Sequence, residues 1–406
     1  MTENIKYIDT SIGLIPSDWE VKKLKELGDF ISGNGFPTDE QGGNTGIPFY
    51  KVSDMNLLRN ENEMTVSNNY VSVEQIKKLK IKPITRDAII FAKVGAAIYL
   101  ERKRIAKNFL IDNNMMAFVP FKYSLFLKYS FDFLKLSKYA QTGALPAYNA
   151  SDLRDIKIRM PNDFEQQKIA EILSTWDNAI DHCKNFIENL KLRNKGLTQK
   201  LLTGKIRVNG FEETKWSLVP IKKIAKDSSK KNPADKDLLV LSCTKHNGLV
   251  PSLEYFGRKI YSDDLTTYKI VSRGQFAYAT NHIEEGSIGY QSRYDEALIS
   301  PMYTVFQTDE TVNDNFLFRV LKSTNYIHEY QKRMEGSIDR RGGLRWDEFS
   351  KIKVPIPEIK EQIEIVEILD KATEELHQYQ QKLENLQLQK KGLMQQLLTG
   401  KVRVKV

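Results

Sequence analysis

The sequence predicts a mixed α/β (α+β) protein with two globular domains, separated by two long coiled-coil helices and related by an internal pseudo-two-fold repeat. Three observations predict it. First, residues 152–208 align with 348–404 at a constant offset of 196, and 24 of the 57 positions are identical. Second, each copy carries one mostly apolar seam of unbroken 4-3 helical spacing. Third, the stretches before the two copies, about 20–150 and 217–346, look unlike each other and alternate short apolar runs with turn signals.

The duplication fixes the layout. Shared positions include Ile156-Lys157 with Ile352-Lys353, Pro161 with Pro357, Glu165-Gln166 with Glu361-Gln362, and Lys195-Gly196-Leu197 with Lys391-Gly392-Leu393. Leu201-Leu-Thr-Gly-Lys-Ile-Arg-Val208 recurs as Leu397-Leu-Thr-Gly-Lys-Val-Arg-Val404, and the variable stretches open on Trp19-Glu-Val-Lys-Lys-Leu and Trp216-Ser-Leu-Val-Pro-Ile. The expected domains are therefore an N-terminal segment 1–19, a first variable domain 20–150, a central shared region 151–208, a second variable domain 209–346 and a C-terminal shared region 347–406. Pro220, which has no counterpart in the first opening, predicts a local difference where the second domain starts.

In the first shared region Ile169, Leu173, Trp176, Ile180, Cys183, Ile187, Leu190, Asn194, Leu197 and Leu201 follow a 4-3 spacing. Ile365, Leu369, Ala372, Leu376, Tyr379, Leu383, Leu386, Lys390, Leu393 and Leu397 repeat it. A seam sustained over about five heptads marks a coiled coil, with the two copies as partners. The polar seam residues Asn194 and Lys390 either set register or mark a splayed, wetter end of the pair. Pro161 and Pro357 before the helices and Gly204 and Gly400 after them are the expected punctuation. About 39 residues at ~1.5 Å each make a rod of roughly 55–60 Å. That matches about one and a half turns of duplex DNA, although a plain dimerisation stalk would share the seam. The carboxylates Glu361, Glu364, Glu367, Asp370, Glu374 and Glu375 at the second helix start suit the macrodipole and a solvated or partner-facing side.

Composition narrows the function. The chain has 406 residues, 41% apolar, with a net charge of +9. At ~100–200 residues per domain this allows two to four domains with real cores. The positive charge sits in the variable stretches, +6 over 20–150 and +3 over 217–346, which permits a polyanionic partner. Cys183 and Cys243 are the two cysteines; they exclude a disulfide framework, and with no signal-peptide pattern in the first residues a cytoplasmic location is the expectation. Apolar runs such as 88–100 fall short of the ~20 residues a bilayer span requires.

Inside the variable stretches, 87–92 and 275–279 read as strands and Asn315–Lys332 as a helix. Several loops carry groups able to meet DNA: Ser32 and Asn34, Lys51, Lys93, and Tyr148-Asn149 in the first; Lys245-His246, Asn281, and Arg340, Arg341 and Arg345 in the second. Asn pairs bidentately with adenine and Arg with guanine, while Lys mostly meets phosphate. Each loop alone also fits an ordinary Asx turn or hairpin, and the arginine cluster a solvated surface.

Catalytic signatures are missing. Gln199 and Gln395 stand where a phosphate-binding GxxxxGK[ST] loop needs its first glycine, no glycine fingerprint for a nucleotide cofactor appears, and no Asn-Pro-Pro methyltransferase segment is present. His282-Ile-Glu284 lacks the Pro-Cys-x-x-Cys of a zinc deaminase. His246 and His282 therefore read as hydrogen-bonding loop residues, and no metal site is expected.

The repeated Pro, Glu-Gln, Ile and Ile-Leu helices, the Leu-Leu-Thr-Gly-Lys-x-Arg-Val ends and the Ile15-Pro-Ser-Asp-Trp-Glu-Val opening together resemble the specificity (S, HsdS) subunit of type I restriction-modification systems. The resemblance spans essentially the whole chain. It implies a non-catalytic subunit with two target recognition domains, each reading half of a bipartite, asymmetric DNA site, held apart by two antiparallel helices acting as a ruler. Two methyltransferase subunits would dock on those helices, and two endonuclease/translocase subunits would join through them. S-adenosylmethionine, ATP and magnesium would be bound by those partners, none by this chain. It also implies an N-terminal segment packed near the C-terminal helix. The rivals are a self-contained DNA-cleaving or DNA-modifying enzyme built on head carboxylates, and a coiled-coil scaffold that does not bind DNA.

Overall fold

The computed structural model describes residues 6–141, 145–232, 237–335 and 343–404. Internal contacts divide the chain into two units, Met1–Lys184 with Gln381–Val406, and Asn185–Gln380. Each holds one variable stretch with part of both long helices.

The unlike heads share one sheet plan. In the first unit a four-stranded antiparallel sheet runs in the order Gly28–Ser32, Met115–Pro120, Ala88–Ala92, Lys103–Ala106. The second unit repeats it as Ala225–Asp227, Tyr303–Thr308, Phe276–Ala279, Ile288–Tyr290. Central strands are apolar on both faces because each sheet is covered on both sides: Ala88–Ala92 and Phe276–Ala279 are buried throughout. Phe30, Phe118 and Phe131 form the aromatic centre of one core, and Phe276, Phe306, Tyr278 and Phe349 that of the other.

Both expected strands form. The expected helix Asn315–Lys332 is instead two helices, Asp314–Leu321 and Thr324–Glu335. Ser323 opens the second, its carbonyl accepting from Tyr326 and Ile327, while the Lys322 side chain turns away to bind loop carbonyls. The start of the second domain keeps the geometry of the first despite Pro220. Glu20–Lys23 pairs antiparallel with Lys157–Met160, and Ser217–Pro220 with Lys353–Ile356. Pro220 ends its strand and leads into a single helical turn, where a fixed φ is tolerated.

The long helices are Asp163–Leu202 and Ile359–Leu397. Ile169, Leu173, Ile180 and Cys183 are buried in the first unit and Ile187, Leu190, Ile365, Leu369 and Ala372 in the second, so the 4-3 seam is the packed one. Within the first unit the Lys390 ammonium meets Asp177, whose other oxygen accepts from the Tyr129 hydroxyl at 2.6 Å. In the second unit Asn194 Nδ2 donates to the Ala372 carbonyl at 2.7 Å, and Phe186 lies 4.5 Å from Tyr379. Partners thus run in opposite directions. Asp177→Ala would leave a partly buried ammonium and a hydroxyl without their acceptor. It should lower stability by about 3 kcal/mol in denaturant unfolding.

Glycines close both helices. Gly204 and Gly400 have φ of +67° and +73°, the left-handed stop that an L side chain resists. At Gly400 a Cβ would also come within 2.5 Å of Pro16. The N-terminal segment does lie against the C-terminal end: the Tyr7 hydroxyl donates to the Gly400 carbonyl at 3.1 Å, and Arg403 forks onto Asp18 at 2.8 and 2.6 Å.

Those motif ends have a common function in each unit. Glu165 is fully buried, accepts from the Trp19 indole at 2.9 Å, and receives Arg403 at 2.7 and 2.8 Å. Glu361 is equally buried, accepting from Trp216 at 2.9 Å and from Arg207 at 2.8 Å on both oxygens. Each arginine also lies over its tryptophan ring, 5.7 and 5.5 Å from the centroid. Glu361 therefore leaves the solvated carboxylate run assigned to it: it is the internal anion that fastens the repeat's end to the head's opening tryptophan.

Candidate nucleic-acid interface

In the first head the predicted residues gather around one tight turn, Asp112-Asn113-Asn114. Strand Gly28–Ser32 passes beside it, so close that a Cβ on Gly33 would fall 1.8 Å from the Asp112 carbonyl. Asn34 is held there by its N–H on the Ile111 carbonyl at 2.9 Å, and Lys93 by its N–H on Asn114 at 2.7 Å. The Lys93 ammonium reaches the Ser32 hydroxyl at 3.4 Å. Next to them the Asp112 N–H binds the Tyr50 carbonyl, which precedes Lys51. The Lys51 ammonium donates to Gln41 Oε1 at 2.8 Å, and its N–H to Asp54 at 2.8 Å. Burial raises the carboxyl of Asp112 above its ordinary range, partly offset by hydrogen bonds from Asn114.

Tyr148 is the exception. Its ring is 2% exposed and packs edge-on to Phe91, while its N–H ties to the Lys93 carbonyl at 2.9 Å. The aromatic body belongs to the core, so it is withdrawn from the surface assigned to it. Its backbone instead aligns the exposed Asn149 with the Lys93 loop. The exposed amides of Asn113 and Asn114, which sequence reasoning passed over, sit at the middle of the cluster.

In the second head three loops meet. Lys245 and His246 are exposed in the turn between Leu241–Thr244 and Gly248–Pro251. Asn281 and His282 are exposed in the loop after Phe276–Ala279. The Lys322 ammonium joins the two loops, donating to the carbonyls of Thr244 at 3.1 Å, Gly286, and Ile288 at 3.1 Å. Burial lowers its proton affinity from the usual lysine value. A third segment, which leads into the exposed Arg345, is pinned to the Asn281 loop by the Leu344 N–H on the Thr280 carbonyl at 2.7 Å. Arg340 and Arg341 lie outside the described residues.

The Cys243 thiol, on the first strand of the Lys245 hairpin, is buried and donates to the Ala277 carbonyl at 3.7 Å, and desolvation pushes it up to about 12. His282, Glu284 and Glu285 offer ligand atoms within 4.8 Å of one another on the loop, a mostly exposed set of the kind common without an ion.

The type I restriction modification DNA specificity domain family matches residues 16–192 and 218–387, most of the chain and both copies of the repeat. The chain belongs to this family. It is 25% identical over 425 residues to the type I restriction enzyme MjaVIII specificity subunit of Methanocaldococcus jannaschii, covering 96% of this chain and 94% of that one. The MjaIX specificity subunit of the same organism is 28% identical over 199 residues, 46% of this chain and 44% of its own. In fold, the chain is similar to the S subunit of a type I restriction-modification system from M. genitalium, with a TM-score of 0.53 at 15% identity, covering 98% and 97% of the two chains. The HsdS subunit of Thermoanaerobacter tengcongensis gives 0.54 at 14%, covering 96% and 98%.

The specificity-domain match covers each head together with most of its long helix, so loop clusters and scaffold belong to one repeated unit. Among the described residues no helix is long and apolar enough to cross a membrane.

Proposed function

We propose that the chain acts as the DNA-specificity subunit of a type I restriction-modification complex, each variable domain (20–150 and 209–346) reading one half of a bipartite, asymmetric site. The observation that carries this is the pairing of one scaffold, repeated with its Trp, Glu and Arg fastening intact, with two heads of the same sheet plan and unlike loops. A shared scaffold with divergent loops suits a machine whose parts are constant and whose target changes. Lys51 and Lys93 would supply phosphate contacts, and Ser32, Asn34, Asn149 and Asn281 with Arg345 base-edge contacts. Lys245 and His246 would edge the second groove. Methylation and cleavage would come from two methyltransferase and two endonuclease subunits, the former docked on the long helices, in the cytoplasm.

Adenine methylation mapped across the source genome, with and without the gene, tests it. Deletion should erase one bipartite, asymmetric motif, and replacing residues 20–150 with another head should change one half of that motif alone. A change in both halves would defeat the modular reading.

A further inference from the structure

The first unit contains a cavity of about 240 Å³ that the loop clusters do not use. It opens between the end of helix Ser124–Phe133, the turn Leu136–Tyr139 and strand Lys157–Met160, with Leu398 at its floor. Its lining carries four cations, Lys135, Lys138, Lys157 and Arg159, and no carboxylate. Among the described residues none of the four has an acidic partner: Lys157 donates to the Ser11 hydroxyl at 2.8 Å and Arg159 to the Ile12 carbonyl at 2.5 Å. Arg159 Nε is buried with no hydrogen-bond partner. Desolvation without a compensating acid lowers its proton affinity. Four cationic residues around one cavity with no acid among them repel one another until an anion joins them.

The second unit shows that the shared scaffold does not need this arrangement. There Pro355 stands at the position equivalent to Arg159, and helix Thr324–Glu335 lays the Tyr326 hydroxyl on the Lys353 carbonyl at 2.9 Å. The first unit has only the short turn Leu136–Tyr139 at that point in its chain order, and it is this turn that supplies Lys138.

We propose that this cavity is a phosphate-binding site, in which Arg159, Lys157, Lys138 and Lys135 surround the anion. Phe133 and Tyr139, 40% and 43% exposed, offer apolar surface for whatever carries the phosphate. Arginine supplies the planar fork and the lysines point charges, the combination suited to a tetrahedral oxyanion. The phosphate can come from a polynucleotide backbone or from a free phosphate or nucleotide. The site stands on its own geometry and does not depend on how the loops read DNA.

The test is a titration of inorganic phosphate with the full-length protein in chloride buffer, followed by ³¹P line width. Saturable binding is expected, weakened at least tenfold by Arg159→Gln and by Lys138→Gln. Lys138 is exposed, so its variant should melt like the parent and keeps the test valid if Arg159→Gln, which also loses the Ile12 contact, folds poorly. Absence of saturable binding, or variant affinities within twofold of the parent, overturns the proposal. A duplex of arbitrary sequence that displaces the phosphate supports the site with DNA backbone as its source. Phosphate binding that survives the duplex supports it with a free phosphate or nucleotide as source.

Discussion

Glu361→Ala is expected to destabilise the second unit by about 3–5 kcal/mol, the cost typical of stranding one member of a buried ion pair. The carboxylate is fully buried and satisfies three donors, two from Arg207 and one from Trp216. Arg207 has further acceptors on Thr214, its carbonyl and its hydroxyl at 2.5 Å, but neither carries charge. The arginine would remain mostly enclosed, at 17% side-chain exposure, with its counterion gone. Chemical denaturation read by tryptophan fluorescence should show the loss, since Trp216 reports on the site itself. The apolar double replacement Glu361→Leu with Arg207→Met should recover most of the stability, because removing both charges also removes their desolvation cost. If the double variant were as unstable as Glu361→Ala, the pair would be adding net attraction, and the stranded-charge account would be wrong. Glu165→Ala should behave alike in the first unit, where Arg403 keeps a second carboxylate, Asp18. Its loss should therefore be the smaller of the two.

This triad shows which part of the molecule was legible. Trp19 and Trp216, Glu165 and Glu361, and Arg403 and Arg207 each recur in the two halves, so repetition marked them, and the helical seam followed from spacing alone. Spacing could not show that the three meet, because their contact joins residues 145 to 238 positions apart. Its place in a carboxylate run at a helix start put Glu361 on a solvated or partner-facing side; only the fold encloses it. In the heads, apolar runs located the central strands, since doubly covered strands are apolar throughout. The same rule hid Tyr148: a tyrosine beside an asparagine in a loop looks like a contact pair, and burial of its ring depends on Phe91 from a distant strand. Asn113 and Asn114 were missed because an Asp-Asn-Asn triplet reads first as a turn, which it is, and only the neighbouring strands give the turn a place among Ser32, Asn34 and Lys93.

Lys322 had no sequence signal at all, and its replacement carries the second large expected effect. One ammonium donates to three backbone carbonyls, Thr244 where the hairpin turn begins, Gly286 in the loop after Phe276–Ala279, and Ile288 where that loop ends. No methionine can replace those bonds, so Lys322→Met leaves three acceptors to find water and frees two loops from each other. About 2–3 kcal/mol of stability should be lost, on the scale of charged hydrogen bonds removed from enclosed acceptors. Recognition should suffer more selectively. Base-edge contacts need their side chains held within a fraction of an ångström, and Lys245, His246 and Asn281 all stand on the released loops. Binding measured on duplexes altered in one half-site at a time should show the variant discriminating at least tenfold less at one half and unchanged at the other, with the basic surface still supplying salt-dependent affinity. Equal losses at both half-sites would mean that Lys322 only holds the fold together, whereas a loss confined to one would make it the residue that sets the shape of the second reading surface without touching DNA.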